Sequence, residues 1–292
     1  AWHRPQGTLE VVHFMQDLSI SFRVDGLSMV FSVLIAILWP LAMLYSFEYM
    51  EHEKHQRIFF TFYSITYGVT LGIAYASDML SMYFFYELLT LVTVPLILHS
   101  LSKKAIHATR KYLYYSLGGA AFALIGIVFL MVYGNHLDFV MGGVLNMAKI
   151  GDKKQVLLVV YFIACLGFGV KAAMFPMGSW LPDAGVAPTP VTALLHAVAV
   201  VKAGVFAIIR LTYYGFGTEF LRGTWVQAAV MAFAMFSIVY GCTRAVMERH
   251  IKRRLAYSTI SNLSYIIFSA AIMTPLGLVG ALCHMVCHAV MK

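Results

Sequence analysis

The chain has 292 residues, 61% hydrophobic and 12% charged, with mean hydropathy +0.79 and formal net charge +8. Soluble domains carry about 25% charged residues, so this composition excludes an ordinary globular domain and points to a chain solvated by lipid. The basic excess sits in short loops beside apolar runs. Attraction to anionic headgroups accounts for it there, and nucleic-acid binding is not expected.

Residues 1–25 alternate apolar and polar positions and predict a short hairpin or interfacial loop on the extracytoplasmic side. Nine apolar spans follow at roughly 26–47, 58–77, 79–101, 112–133, 156–176, 190–213, 225–243, 256–273 and 275–291. Each is close to the about 20 residues that a helix needs to cross a bilayer. The expected fold is an all-α polytopic membrane bundle, one domain over 26–292, without a repeat, linker or low-complexity segment. The chain has no initiator Met and stops at Lys292 inside an apolar stretch, so it reads as a fragment. The loops after spans one, three and seven hold Lys54, Arg57, Lys103, Lys104, Arg110, Lys111, Arg244 and the cluster "RHIKRR" (249–254). This more basic side is assigned to the cytoplasm. Cys165, Cys242, Cys283 and Cys287 all fall in spans and are expected to be buried free thiols.

Three ionisable residues stand inside spans: Glu87 in "FFYELLTLVTVP" (84–95), Lys171 and Lys202. A charge at the bilayer centre costs about 2.5–3.5 kcal/mol even on the lenient insertion scale, so such groups face a protein-lined or hydrated interior. A Glu–Lys bridge that merely locks helices is one reading. Three groups in separate spans fit an ion pathway better, and burial disfavours charged forms, which a proton carrier requires.

Residues 167–210, "GFGVKAAMFPMGSWLPDAGVAPTPVTALLHAVAVVKAGVFAIIR", hold Pro176, Pro182, Pro188 and Pro190, half of the chain's 8 prolines. They predict a helix broken near 176–190, with Trp180 anchoring the loop at an interface and Thr189 as N-cap of the restart. Broken helices at membrane depth line cavities or binding sites. On one continuous helix, His196 and Lys202 face directions about 240° apart and touch different neighbours. The last span reads "CHMVCHAVMK": His284, His288 and Lys292 share a face, with Cys283 and Cys287 on the next. One face alone cannot supply the three or four converging ligands of a metal site, so no metal is assigned.

The segment 169–210, with "FRVDGLSMVFSVL" (22–34), "FYELLTLVTVPLIL" (85–98), "IKRRLAYSTISNLSYIIF" (251–268) and "HMVCHAVMK" (284–292), resembles the antiporter-like proton-translocating subunits. That family includes the large membrane subunits of respiratory complex I, Mrp-type cation/proton antiporters and membrane-bound hydrogenases. The resemblance covers about 22–292. It implies a hydrated polar axis in which Glu87 partners Lys171, His196 and Lys202 follow on the next helix, and His284, His288 and Lys292 continue it. It also implies a fold of about fourteen helices with two inverted bundles, of which this chain lacks the first two and the last few. Tyr86 stands where many members have Trp, and His250 where an Asp often precedes "IKR".

The expected function is a proton-translocating, non-redox subunit of an NADH:quinone oxidoreductase-like, hydrogenase or Mrp-type complex in the cell inner (plasma) membrane. The expected partners are other membrane subunits and lipid, and Na+ is the second candidate ion. The chain carries no GxGxxG, phosphate loop or iron–sulfur Cys run, so no cofactor is assigned to it. A haem-bearing cytochrome using His196, His284 and His288, or an inert scaffold bundle, are the alternatives.

Overall fold

A computed structural model describes residues 7–15 and 18–292. Residues 1–6 and 16–17 of the expected extracytoplasmic segment lie outside the described residues. The expected hairpin is present: β1 (Leu9–Met15) pairs antiparallel with β2 (Leu18–Phe22). A buried hydroxyl–carboxylate cluster pins it to the bundle. Asp78 accepts from Ser21 Oγ at 2.9 Å and Ser81 Oγ at 2.5 Å, and caps the following helix through Ser81 N at 2.7 Å.

Four long helices come next: α1 (Gly26–Met50), α2 (Gln56–Tyr75), α3 (Met79–Ile97) and α4 (Lys103–Tyr133). On α1, Val33, Ile37, Leu41 and Leu44 recur at helical spacing on an exposed face, while Phe31, Ile35 and Trp39 turn inward. A short helix α5 (Met147–Ile150) leads into α6 (Lys154–Lys171). α6 packs on α4 backbone to backbone, because Gly119 and Gly126 of α4 oppose Gly167 and Ala164 of α6.

α6 ends at Lys171, and the chain runs through short pieces, including α7 (Trp180–Ala184), before α8 (Thr189–Ala197), so the expected break is present. Two details differ from expectation. Trp180 is no interfacial anchor: it is fully buried beside Tyr112, and its Nε1 donates at 2.8 Å to Val170 O, which also accepts from Ala173 N at 3.0 Å in the turn that ends α6. Thr189 is the first residue of α8 and not its cap. Pro188 precedes it, and no side chain caps the helix.

α9 (Val200–Arg210) continues from α8 into a π-turn at Leu211–Phe216. This stretch is the centre of the bundle and is almost entirely buried. After α10 (Thr218–Leu221) come α11 (Trp225–Met247), α12 (Ile251–Ala271) and α13 (Pro275–Met291). Among the described residues seven helices are long and apolar enough to cross a membrane, not nine. α12 falls outside that group because it opens on Lys252, Arg253 and Arg254 and carries Ser258, Ser261, Asn262 and Ser264. α13 is 17 residues long. Both nevertheless pack into the bundle. Of the cysteines only Cys165 is buried. Cys242, Cys283 and Cys287 are exposed, because their helices lie at the margin of the bundle.

Arg210 is the last residue of α9 and falls within the expected span 190–213. It is fully buried, and its guanidinium grips Asp25 through two bonds, Nη1–Oδ2 at 2.5 Å and Nη2–Oδ1 at 2.9 Å. Phe139, Phe206 and Tyr214 pack around the cation within 5.1 Å of its carbon. Asp25 also caps α1 by a reciprocal exchange with Ser28. Burial works against the Asp25 charge, but the Arg210 guanidinium and the Ser28 bonds outweigh it and hold the carboxyl below its ordinary range.

Two outcomes follow from this packing. Gly167→Ala would place a Cβ 2.5 Å from Ala123 N and 2.6 Å from Gly119 O, backbone atoms that cannot move aside. Stability is expected to fall by about 1–3 kcal/mol, read as a lower melting temperature in detergent. Gly68→Ala, which meets nothing within 4 Å, should leave it unchanged. Asp25→Ala leaves Arg210 buried without a counter-charge and is expected to cost about 3–5 kcal/mol, whereas the double change Asp25→Ala/Arg210→Met recovers much of that loss. Equal melting of the single and double variants would refute the pair's role.

Candidate functional site

Lys171 is the last residue of α6 and is 1% exposed. Its Nζ donates to the Tyr86 carbonyl, lies 3.3 Å from the centroid of the Tyr86 ring, and reaches Glu87 Oε1 at 3.4 Å. The two charged residues therefore converge from α3 and α6, as expected. The contact is asymmetric. The Glu87 side chain keeps 23% of its surface open, in an apolar crevice of about 310 Å3 between β2 and α3, lined by Ile20, Tyr83, Phe84 and Leu91 among others. Lys171 is enclosed and Glu87 is not.

A second group lies on the other side of α6. Gly204 of α9 sits against the backbone of Lys171 and Ala172, where any Cβ would approach within 2.4 Å, so α9 crosses the end of α6 closely. Two residues earlier, Lys202 is 1% exposed, and its Nζ meets His288 Nδ1 of α13. His284, one turn before His288, pairs through Nε2 with Asn262 Oδ1 of α12 at 3.1 Å. Lys292 donates to Leu255 O at 3.2 Å.

His196 and Lys202 do not share a helix, contrary to the expectation of 240° around one axis. The chain departs from helical geometry at Val198 (φ −130°, ψ −48°) and Ala199 (φ −83°, ψ −93°), and Leu194 O accepts from both Val198 N and Ala199 N. No proline or glycine marks this break. His196 is 4% exposed, and neither ring nitrogen has a protein partner. His288 Nε2 is likewise unpartnered. The hydroxyls of Thr90, Thr109 and Ser116, on α3 and α4, are buried without partners, close to the bonded pair Thr93–Tyr112 at 2.9 Å. Buried polar atoms left bare cost about 1–3 kcal/mol each, so internal water is the natural partner for these groups.

The structure thus brings Glu87 to Lys171 and Lys202 to His288, with no direct hydrogen bond between the two pairs. Asn262 was missed in the sequence, although it stands among the serines of a polar stripe on α12. Among the described residues no three His, Cys, Asp or Glu side chains group to hold a metal. His284 Nε2 and His288 Nδ1 are both engaged within the protein, which weakens the axial-ligand alternative.

Residues 76–292 match the family described as "NADH:quinone oxidoreductase/Mrp antiporter, TM", and residues 13–60 match "NADH-Ubiquinone oxidoreductase (complex I), chain 5 N-terminus". The chain is 30% identical over 285 residues to the NAD(P)H-quinone oxidoreductase subunit 5 of Zea mays chloroplasts, covering 94% of this chain and 37% of that one. It is 31% identical over 274 residues to a Na(+)/H(+) antiporter subunit of Alkalihalophilus pseudofirmus, covering 92% and 32%. The chain therefore spans about a third of the length of these relatives. Its fold superposes on a chain of the Mrp complex from Dietzia sp. with TM-score 0.85 at 26% identity, over 97% of this chain and 31% of that one. A chain of an archaeal membrane-bound sulfane sulfur reductase shares the fold, with TM-score 0.81 at 22% identity, over 96% and 56%. The chain is a polytopic membrane protein and belongs to the NADH:quinone oxidoreductase/Mrp antiporter transmembrane family.

Proposed function

We propose that this chain is the proton-translocating part of a membrane subunit that works within a larger redox or antiport complex. Its host is of the NADH:quinone oxidoreductase or Mrp type, embedded in the cell inner membrane, with the basic loops toward the cytoplasm. Neighbouring membrane subunits supply the driving event, and redox cofactors sit in them. The observation that carries this reading is the Glu87–Lys171 contact at a helix end, with the cation enclosed and the carboxylate partly open.

That asymmetry suits a switch. While Glu87 stays close, the Lys171 ammonium has its counter-charge. When the pair opens, the charge is left in a dry site, and burial drives the proton onward. His196, with both nitrogens free of protein partners, takes it through water toward Lys202, His288 and the face of α12 and α13. Carrying one charge through a field of 100 mV exchanges about 2.3 kcal/mol, within reach of making and breaking one buried ion pair. Among the relatives, one is named for Na(+)/H(+) antiport. Na+ exchange in this scheme needs a cation path beside the proton path.

The test is proton uptake into proteoliposomes by the assembled complex, driven by its own substrate. Lys171→Arg keeps the charge and its partners but holds its proton at every accessible pH. Uptake is expected to fall about 100-fold, with assembly intact. Near-normal uptake by that variant would sink the switch and leave a locking ion pair. His196→Leu separates relay from packing. A packing histidine with unpartnered nitrogens is replaced by a hydrophobe at little cost, so the melting temperature should hold or rise while uptake falls. Full uptake in His196→Leu removes His196 from the path.

A further inference from the structure

At the end of the bundle that carries the basic loops, three separate segments enclose a bay of about 690 Å3. Its walls include Lys103, Lys104 and His107 from the start of α4, Asp183 of α7, and Lys252 and Arg253 from the first turn of α12. Asp183 is the only acidic residue of this lining, and it is already engaged by Lys111 at 2.7 Å and Arg253 at 3.6 Å. Among the described residues Lys103, Lys104 and Lys252 make no salt bridge, and Lys252 Nζ finds only the Ala187 carbonyl, at 3.2 Å. Among the described residues the bay thus holds more cations than the anions that answer them.

The backbone adds to the same field. Both α4 and α12 begin at this bay, and a helix start carries about half a positive charge with several unbonded amides. Helices ordinarily place acids there. Neither α4 nor α12 has an acidic residue in its first turn; each has lysines or arginines instead. On α4 the Ser102 hydroxyl accepts from Ala105 N at 3.1 Å and pairs with Ser100 Oγ at 3.1 Å, and α12 has no side-chain cap. Attraction of basic loops to one membrane face explains which end these residues occupy. It does not explain their collection from distant segments into one concavity. An anion with several oxygens satisfies side chains and amides together.

Exposed apolar residues adjoin the bay in the chain. His107, Tyr114 and Gly118 fall on one face of α4. Tyr114 is exposed, and nothing lies within 4 Å of where a Cβ on Gly118 would stand. On α12, Ile251 stands between the lining residues His250 and Lys252 and is exposed, as is Leu255 one turn further on. A cationic hollow continuous with an apolar surface selects an amphiphile over a free ion.

We propose that this bay binds the phosphate headgroup of an anionic phospholipid, with the acyl chains lying along α4 and α12. The bound lipid bridges the starts of two helices and the segment after the Lys171 break. The leaflet follows from the cytoplasmic placement of the basic loops. The site itself does not depend on the relay, and the experiment reads lipid occupancy and not transport, so either can fail alone.

The purified complex carrying the whole subunit is reconstituted in phosphatidylcholine nanodiscs doped with a photoactivatable lipid, and labelled peptides are mapped. A phosphatidylglycerol probe is expected to label peptides spanning 103–107 and 250–253, and a phosphatidylcholine probe is not. Each of Lys103→Gln, Lys104→Gln and Lys252→Gln should lower labelling about fivefold, the factor equivalent to the roughly 1 kcal/mol that one basic residue contributes at an anionic surface. Lys104→Gln alters one exposed side chain and serves as the variant least able to disturb folding. Four results overturn the proposal. These are equal labelling by the two probes, unchanged labelling in the variants, complete displacement by millimolar inorganic phosphate, and no labelling of these peptides because another subunit covers them.

Discussion

An ammonium enclosed in an apolar interior constrains everything around it. Lys171 is 1% exposed, so its charge must be answered by groups that the fold brings to it. The Tyr86 carbonyl, the Tyr86 ring and the Glu87 carboxylate do so, and all three come from one turn of α3. Bringing them there requires α6 to stop at Lys171. At that stop Trp180 folds back and adds a second donor to Val170 O, beside the backbone bond from Ala173 N. It also requires α9 to cross closely enough to shut out lipid, which the bare backbone at Gly204 permits. The broken helix, the buried tryptophan and the close crossing are consequences of housing one cation.

The protein houses three buried cations in three ways, and the differences carry meaning. Arg210 is clamped by both carboxylate oxygens of Asp25 and packed among aromatic rings. An arginine does not give up its proton, and a two-bond fork is a permanent fixture. It ties the start of α1 to the end of α9. Lys171 has a single, longer contact to a carboxylate that opens on a crevice. Lys202 has an imidazole and no carboxylate at all. The series runs from a doubly bonded pair, through a single longer contact, to a lysine that faces an imidazole nitrogen. On the relay reading, that ordering separates a pair that only holds the bundle from groups that exchange a proton.

Much of this was legible in the sequence, for physical reasons that differ from element to element. Membrane spans are read from apolar length, and most emerged with the expected ends. α12 and α13 lie near their expected bounds but outside the seven long apolar helices, and their polar side chains find partners inside the bundle, as Asn262 does with His284. The break after Lys171 was legible because prolines cannot continue a helix. The break at Val198–Ala199 was not, since "HAVAVVK" contains nothing that opposes a helix, and tertiary packing imposes it. The Asp25–Arg210 pair joins residues 185 apart, and no local pattern encodes such a meeting. Trp180 was misread because interfacial tryptophans are common in membrane proteins, whereas this one closes the end of a helix within the core. Glu87 and Lys171 were found because a charge in an apolar run is conspicuous wherever it stands.

The two interruptions also place the two lysines in opposite backbone fields. Lys171 is the last residue of α6, at the helix end where open carbonyls make the field negative and welcome a cation. Lys202 lies in the first turn of α9, created by the break at Val198–Ala199, where the field is positive and opposes a cation. An unbroken α8–α9 helix would have no such end at Lys202. Positive charge is therefore favoured at one lysine and disfavoured at the other by backbone geometry alone, before any side chain moves. The carboxylate adds to the bias at Lys171 while it is near and removes that part when it leaves. On the relay reading, the second break keeps Lys202 as a place a proton passes through and does not rest. It also accounts for a helix that departs from ideal geometry in the most deeply buried stretch of the chain, where no sequence breaker demands it.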